Sequence, residues 1–360
     1  MDINVLDKDL NVVCVIDSFR SLIWNDKYDE PGDFELCVPA GIPGAEYLLP
    51  DYYIEIPDSP KTMIIEKQQP STDVDDGDTI IFSGRSLESL LDRRIVWQQT
   101  TVSGNLQNAI KTLINENAIS PTISDRTMTN LIFTDSTDTN VASITIDSTQ
   151  FTGDNLLEVV ETLTQNNNLG FKILLNSNNK FEFQLYSGTD RSFNQTTYPQ
   201  VEFSLRNDNL FSSKRTLDKT NYKNVTLIAG EGEGLDRTTA TYGSASDLER
   251  REYFTDARDI SSNEGSEDEI APAEYQNLLI ERGKSKLDEL QIEREVEAEV
   301  DTSEYAMFQY QEDYFIGDVV NVVDRFGVTF TARVTEMTVS INSSGYSSYP
   351  IFEYEYSGEE

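Results

Sequence analysis

The sequence predicts a mainly β protein with α+β inserts: two small antiparallel β-barrels toward the ends of the chain and two helix-containing insert domains. Three observations predict it. Short runs alternating apolar and polar residues, broken by turn residues, fill the chain to about residue 93 and recur near the end. Apolar spacing changes to a helical period after Ser86 and again after Pro272. Finally, 360 residues, 38% of them hydrophobic and 10% aromatic, are ample for more than one packed core.

Taken in order, residues 1–93 form the first barrel. Phe34, Leu36 and Val38 alternate with Glu35 and Cys37, between turn signals at Asp29 to Gly32 and Pro39 to Gly44. Met63 to Glu66 and Thr79 to Ser83 read as a hairpin across the acidic loop of Asp73, Asp75, Asp76 and Asp78. Residues 94–205 form an α+β insert. After a short helix through Leu90 and Leu91, its first helix carries Leu106, Ile110, Leu113, Ile114 and Asn117. The second carries Leu156, Val160 and Leu163, with Thr152 or Asp154 as N-cap. Strands Phe171 to Leu175 and Phe181 to Tyr186 follow, joined by the turn Asn176 to Lys180. Strand character returns at Val201 to Leu205 and Tyr222 to Ala229.

Residues 236–294 form the second insert, an acidic loop at Ser261 to Glu269 and a helix with Pro272 in its first turn and Tyr275, Leu279, Leu287 and Leu290 along one face. The second barrel combines residues 206–235 with 295–360: Val319 to Val323, a long strand from Val328 to Ile341, and Ile351 to Tyr356. In the long strand the apolar phase is even at Phe330, Ala332 and Val334 and odd at Met337, Val339 and Ile341. That switch predicts a bulge near Glu336.

Composition excludes several function classes. Histidine is absent, which removes imidazole relays and HExxH or Cys/His zinc sites. Acids outnumber bases 64 to 28, a net charge of -36, so a duplex-binding surface of clustered Lys and Arg is not expected. Stable nucleic-acid binding is therefore excluded, and a wall that DNA slides past is the functional reading of the charge. Cys14 and Cys37 lie in separate strand-like segments without CxxC spacing and read as half-buried thiols on neighbouring strands. The glycines Gly230, Gly232 and Gly234 alternate with Glu231 and Glu233, whose carboxylates would repel phosphate. The acidic loop at Asp73 lacks EF-hand order and reads as a solvated turn with Asp76-Gly77 at its tip. No catalytic, cofactor-binding or metal-ligating residue is assigned. No spanning apolar run and no secretory start is present, so synthesis and assembly in a cytoplasm are expected, with membrane contact at most transient.

The segment SLIWNDKYDEPGDFELCVP, from Ser21 to Pro39, resembles the opening of siphophage tail-hub proteins, where a tryptophan, an aromatic-acid turn and a GxFEL strand recur. FSGRSLESLLDRRI, LERREYFTDAR, DYFIGDVVNV and TARVTEM resemble the same family in order and spacing, scattered over nearly the whole chain. Their residues have structural reasons. Gly32 and Gly317 suit tight turns, and Arg93, Arg94, Arg250 and Arg251 suit bidentate pairs with carboxylates.

The resemblance implies a fold similar to contractile-phage baseplate hubs and the spike base of type VI secretion: a homotrimer with four domains per subunit, two of them barrels around the tube axis. The implied function is a structural, non-enzymatic tail-hub subunit of the virion that joins the six-fold tail tube and distal tail protein to a three-fold tip and channels the genome. Tape measure protein or a tip spike would be further neighbours. The chain stops at Glu360 without the C-terminal extension that many tail-associated proteins carry, so lytic activity is expected from a separate protein. Two alternatives belong to other classes: a cell-wall glycosidase using a carboxylate pair, for which no pair is named, and a host carbohydrate-binding module using some of the 17 Tyr, 17 Phe and 2 Trp.

A three-fold hub under a six-fold tube must offer two similar surfaces per subunit. The two barrels are therefore expected to share a fold, side by side. A difference in strand order, or closure of the C-terminal strands onto the N-terminal ones as a single sheet, would remove the basis of that mechanism.

Overall fold

The computed structural model describes residues 1–72, 77–262, 270–303 and 305–355. The N-terminal module is built from β1 (Ile3–Leu6), β2 (Val12–Ile16), β3 (Ser21–Lys27), β4 (Asp33–Pro39), β5 (Tyr53–Glu55), β6 (Thr62–Ser71) and β7 (Thr79–Ser86). They lie in the order β3-β4-β7-β6-β5-β1-β2, each neighbouring pair antiparallel. Alternation selects the faces: Leu22, Trp24, Phe34, Leu36 and Phe82 point into one core, while Ile23, Glu35 and Cys37 point away. Gly32 is needed for close approach rather than for a turn, since a Cβ there would lie 2.3 Å from the Asn25 carbonyl oxygen.

A 3₁₀ helix, Leu87–Arg93, leads into the first insert. This contains β8 (Thr100–Asn105), α1 (Leu106–Ile114), a π-helical turn at Asn115–Ile119, β9 (Leu131–Phe133), α2 (Thr139–Ser143), β10 (Thr145–Phe151), α3 (Leu156–Gln165), β11 (Gly170–Leu175) and β12 (Phe181–Tyr186). The inward stripes of α1 and α3 share one core with Phe171, Ile173 and Phe183. Asn155, not Thr152 or Asp154, caps α3: its side chain accepts from the Leu157 and Glu158 amides, while Asp154 accepts from the Thr152 amide.

The next strands are β13 (Glu202–Ser204) and β14 (Leu210–Asp218). The second insert packs α4 (Pro272–Asp288) across β15 (Val225–Ala229), β16 (Thr239–Gly243) and β17 (Glu252–Asp256). Pro272 begins α4 as expected, and Tyr275, Leu279 and Ile228 share its core. The C-terminal module is completed by β18 (Glu293–Val300), β19 (Val319–Val323), β20 (Thr329–Asn342) and β21 (Gly345–Glu355).

The C-terminal order is β14-β18-β21-β20-β19, all antiparallel, with β13 parallel to β19. Set beside β3-β4-β7-β6-β5, this is the same order strand for strand, with the same sequence of connections. The bulge recurs as well. Register slips between Val334 and Glu336 in β20, where the phase switch placed it, and between Ile65 and Lys67 in the corresponding β6. The expected likeness of the two β units therefore holds across these strands, although β1 runs antiparallel to β5 and β13 parallel to β19.

The expectation of two separate barrels is corrected. Among the described residues no sheet closes, and both modules belong to a single 13-stranded sheet with its path ends at β14 and β2. The cause is the length of β20. Up to the bulge it pairs with β19; beyond it, the tail pairs with β3 from Glu336–Lys27 to Ile341–Leu22. The modules are thus joined in one sheet, the outcome set against the two-barrel mechanism. Their cores nevertheless remain distinct: Phe330, Ala332 and Val334 pack around Phe203, Tyr314 and Phe352, whereas Val339 packs with Trp24.

Candidate assembly surface

Three features bear on function: the joint where the units meet, the acidic faces of the two modules, and the strand edges left without a neighbour.

At the joint, Tyr28 follows β3 and is buried. Its amide donates to the Thr335 carbonyl at 2.9 Å, its carbonyl accepts from the Phe171 amide at 3.2 Å, and its hydroxyl donates to the Asn168 carbonyl at 3.1 Å. Its ring meets Tyr186 edge-on at 5.2 Å and lies under the Arg333 guanidinium at 5.3 Å. One residue thus ties β3 to the bulge of β20 and to the first insert. A Cβ at Gly170 or Gly317 would lie 2.4 Å from the Tyr28 ring.

Beside it, Lys61 and Glu88 form a buried pair at 3.0 Å. Lys61 also donates to the Lys27 carbonyl at 2.9 Å, and Glu88 accepts the Ile173 amide at 3.2 Å. Asp26 accepts from Trp24 Nε1 at 3.0 Å and from Ser59 at 2.7 Å, and its burial raises its pKa. Two acids, Asp29 in the β3–β4 turn and Glu161 on α3, are partly desolvated. Desolvation, then Glu30 and Glu353, lifts Asp29 to about 6; desolvation, then Glu30 and Asp29, lifts Glu161 to about 7.

Acids lie on the outward faces of both modules, densely on β18 and sparsely on β4. On β18, Glu293, Glu295, Glu297 and Glu299 alternate with Val296, Ala298 and Val300, which are buried. On the corresponding β4, Asp33 and Glu35 occupy the outward positions. Glu297 is answered by Lys214 at 2.6 Å, and Arg85 makes a bidentate pair with Glu66 at 2.9 and 3.0 Å.

The arginines singled out by resemblance are not bidentate. Arg93 makes one bond to Asp51 at 3.2 Å, Arg94 donates to the Arg93 and Arg126 carbonyls, Arg250 pairs with Glu252, and Arg251 donates to the Lys219 carbonyl and lies over Tyr222. Gly230, Gly232 and Gly234 sit in the β15–β16 loop, where the Glu231 amide donates to the Tyr275 hydroxyl. Cys14 and Cys37 are free and half-buried, on β2 and β4, which are not hydrogen-bonded neighbours as expected. Asp73, Asp75, Asp76 and most of the Ser261 to Glu269 loop lie outside the described residues. Among the described residues, no helix is long and apolar enough to cross a membrane.

Several strand edges stand open among the described residues, β2 at the far end of the sheet path among them, and two of them bear on assembly. β14 pairs only with β18, and it exposes Phe211 and Leu217. Residues 67–71 of β6, past the bulge, pair only with β7 and are exposed. No sequence signal marked either edge.

The model of the siphovirus ReqiPepy6 Gp37-like protein family matches residues 2–352. The chain belongs to that family of siphovirus tail proteins. Solved structures share this family member's fold over nearly the whole length. A tail protein from Neisseria meningitidis MC58 is 14% identical at a TM-score of 0.55, covering 98% of this chain and 96% of that one. The 43 kDa tail protein of prophage MuSo2 from Shewanella oneidensis is 12% identical at a TM-score of 0.57, over 99% and 98%. Prophage tail protein gp18 from Listeria monocytogenes EGD-e is 12% identical at a TM-score of 0.53, over 99% and 96%. No curated protein matches in sequence.

Proposed function

We propose that this chain is a non-enzymatic structural subunit of the tail tip, a hub that assembles as a homotrimeric ring, joins the six-fold tail tube and its distal tail protein to a three-fold tip, and channels the genome. The observation that carries the reading is the repeated strand order, with the two modules held edge to edge by the tail of β20. Three copies present six similar modules, and a ring of six modules meets a six-fold tube without mismatch. The continuity of the sheet removes the two-separate-barrel basis expected from the sequence, so the reading rests on the repeated strand order instead. The repeated unit is an open sheet module with its own core, not a closed barrel, and the join is confined to a strand tail beyond its bulge.

The four apolar clusters support a division into four units, but with bounds shifted from 1–93, 94–205, 206–235 with 295–360, and 236–294: Val201 and Phe203 go with the C-terminal module, and Ile228 on β15 goes with the second insert. The acidic faces of β4 and β18 line the channel in this reading, where they repel the phosphate backbone. Tape measure protein or a tip spike would contact the ring from inside or below, in a virion tail assembled in the host cytoplasm. Light scattering on purified chain, alone and with the distal tail protein, tests the reading. It gives three times the 40.7 kDa chain mass if the proposal holds, and a single chain mass under every condition if it does not.

A further inference from the structure

We infer that copies of this chain join by antiparallel pairing of residues 67–71 of β6 with the free edge of β14 in the next copy. This rests on the ring reading above and adds to it the two edges and their register.

The argument uses the junction inside the chain as its template. Because the strand order and the bulge recur, β6 corresponds to β20 and β14 corresponds to β3. Inside one chain, the tail of β20 leaves its own module and adds to β3. The counterpart move is for the tail of β6 to leave its module and add to a β14. Both of these edges stand open, the other open path end, β2, has no counterpart at the internal junction, and the chain's own β3 is already taken.

The register follows from the pairings. Counting from the bulges, Lys67 corresponds to Glu336, Gln68 to Met337 and Gln69 to Thr338. Across the sheet, Gly84 pairs with Phe34 and Phe34 with Trp24, while Phe352 pairs with Val296 and Val296 with Arg215. Arg215 therefore corresponds to Trp24, Thr216 to Asn25 and Asp218 to Lys27. Within the chain Glu336 lies opposite Lys27, Met337 opposite Asp26 and Thr338 opposite Asn25. Between copies, Lys67 comes opposite Asp218, Gln68 opposite Leu217 and Gln69 opposite Thr216. The acid–base pair at the internal junction is regenerated with its signs exchanged, and opposite charges facing across strands stabilise that register.

Edge chemistry agrees. A nine-residue edge strand that exposes Phe211 and Leu217 is an aggregation hazard unless something covers it. Pro70 corresponds to Val339. Since Thr335 accepts from the Tyr28 amide, the alternate residues Met337 and Val339 turn their backbone groups toward β3. Gln68 then exchanges both bonds with the neighbour, and Pro70 ends the ladder because it has no N–H. The contact is head-to-tail, so repeated application makes a ring when its rotation closes.

The test is a cysteine pair, Gln69→Cys with Thr216→Cys, in a chain carrying Cys14→Ser and Cys37→Ser. The internal counterpart, Thr338 opposite Asn25, is a non-hydrogen-bonded pair of the kind whose Cα atoms stand about 4.5 Å apart, within disulfide reach. Mild oxidation should link chains into covalent multimers ending at the copy number of the ring. The off-register pair Gln69→Cys with Lys214→Cys should link poorly. As a second readout, Lys67→Asp should weaken assembly by up to about five-fold per interface, and adding Asp218→Lys should restore it. A ring intact by light scattering in which the register pair fails to link, or links no better than the off-register pair, overturns this inference and leaves the ring reading standing. A chain that never assembles overturns both.

Discussion

Gly317 has φ of +93° and would place a Cβ 2.4 Å from the Tyr28 ring. Gly317→Ala combines backbone strain with overpacking and should cost at least about 1–3 kcal/mol in urea unfolding, whereas Gly327→Ala, also at positive φ but in open space, should bear the backbone cost alone. Asp29 and Glu161 make a separate prediction at this scale. Their folded pKa values, about 6 and about 7, lie above the ordinary 3.8 and 4.5, so the folded chain binds these protons more tightly than the unfolded one. The stability they contribute is full below the ordinary carboxylate range and is lost as pH rises through 6 and 7. Melting temperature should therefore rise as pH falls from 8 to 5, and Asp29→Asn with Glu161→Gln should flatten that slope. An unchanged slope would show that the two carboxyls titrate normally. Local chemistry of this kind was partly legible in the sequence. The N-cap reading missed by one residue because Thr152, Asp154 and Asn155 all cap well, and only the fold decides which one lies outside the first turn.

At the scale of elements, the long strand is where sequence and structure agree best and also where they part. The phase change from Phe330, Ala332 and Val334 to Met337, Val339 and Ile341 is a local signal, and the bulge lies where it points. What the tail does next is a long-range pairing with β3, and no local pattern encodes a partner hundreds of residues away. β18 did carry a period-two signal in Val296, Ala298 and Val300, but its glutamates masked it as a polar run. β14, LFSSKRTLD, has no alternation to read because it is an edge. The buried Lys61–Glu88 pair ties β6 to the 3₁₀ helix and the first insert. Lys61→Met alone should destabilise by about 3–5 kcal/mol, because Glu88 is left buried and unpaired, and Lys61→Met with Glu88→Leu should recover much of it. Chemical denaturation of the three chains decides this; equal stability of the single and double variants would mean that the charge pair is not the source of the cost.

For the whole molecule, charge and symmetry make separate predictions. With a net charge of -36 per chain and glutamates on the outward faces of both modules, the assembled ring should show no measurable affinity for duplex DNA near physiological salt. Fluorescence anisotropy should stay flat, and micromolar, salt-sensitive binding would count against an acidic channel. The overall class was legible because it is written in local patterns, whereas the likeness of the two β units followed from the symmetry that the family resemblance implies and from no repeat in the residues. The fusion of the units into one sheet and the free edges were not legible, because they depend on which strands find no neighbour after folding. The central claim is that six like modules from three chains make the ring under the tube. A low-resolution reconstruction of the assembled tail tip tests it most directly. The account predicts three-fold density at the hub with a ring of six similar lobes facing the tube, and a hub of any other symmetry, or one lobe per chain at that ring, would contradict it.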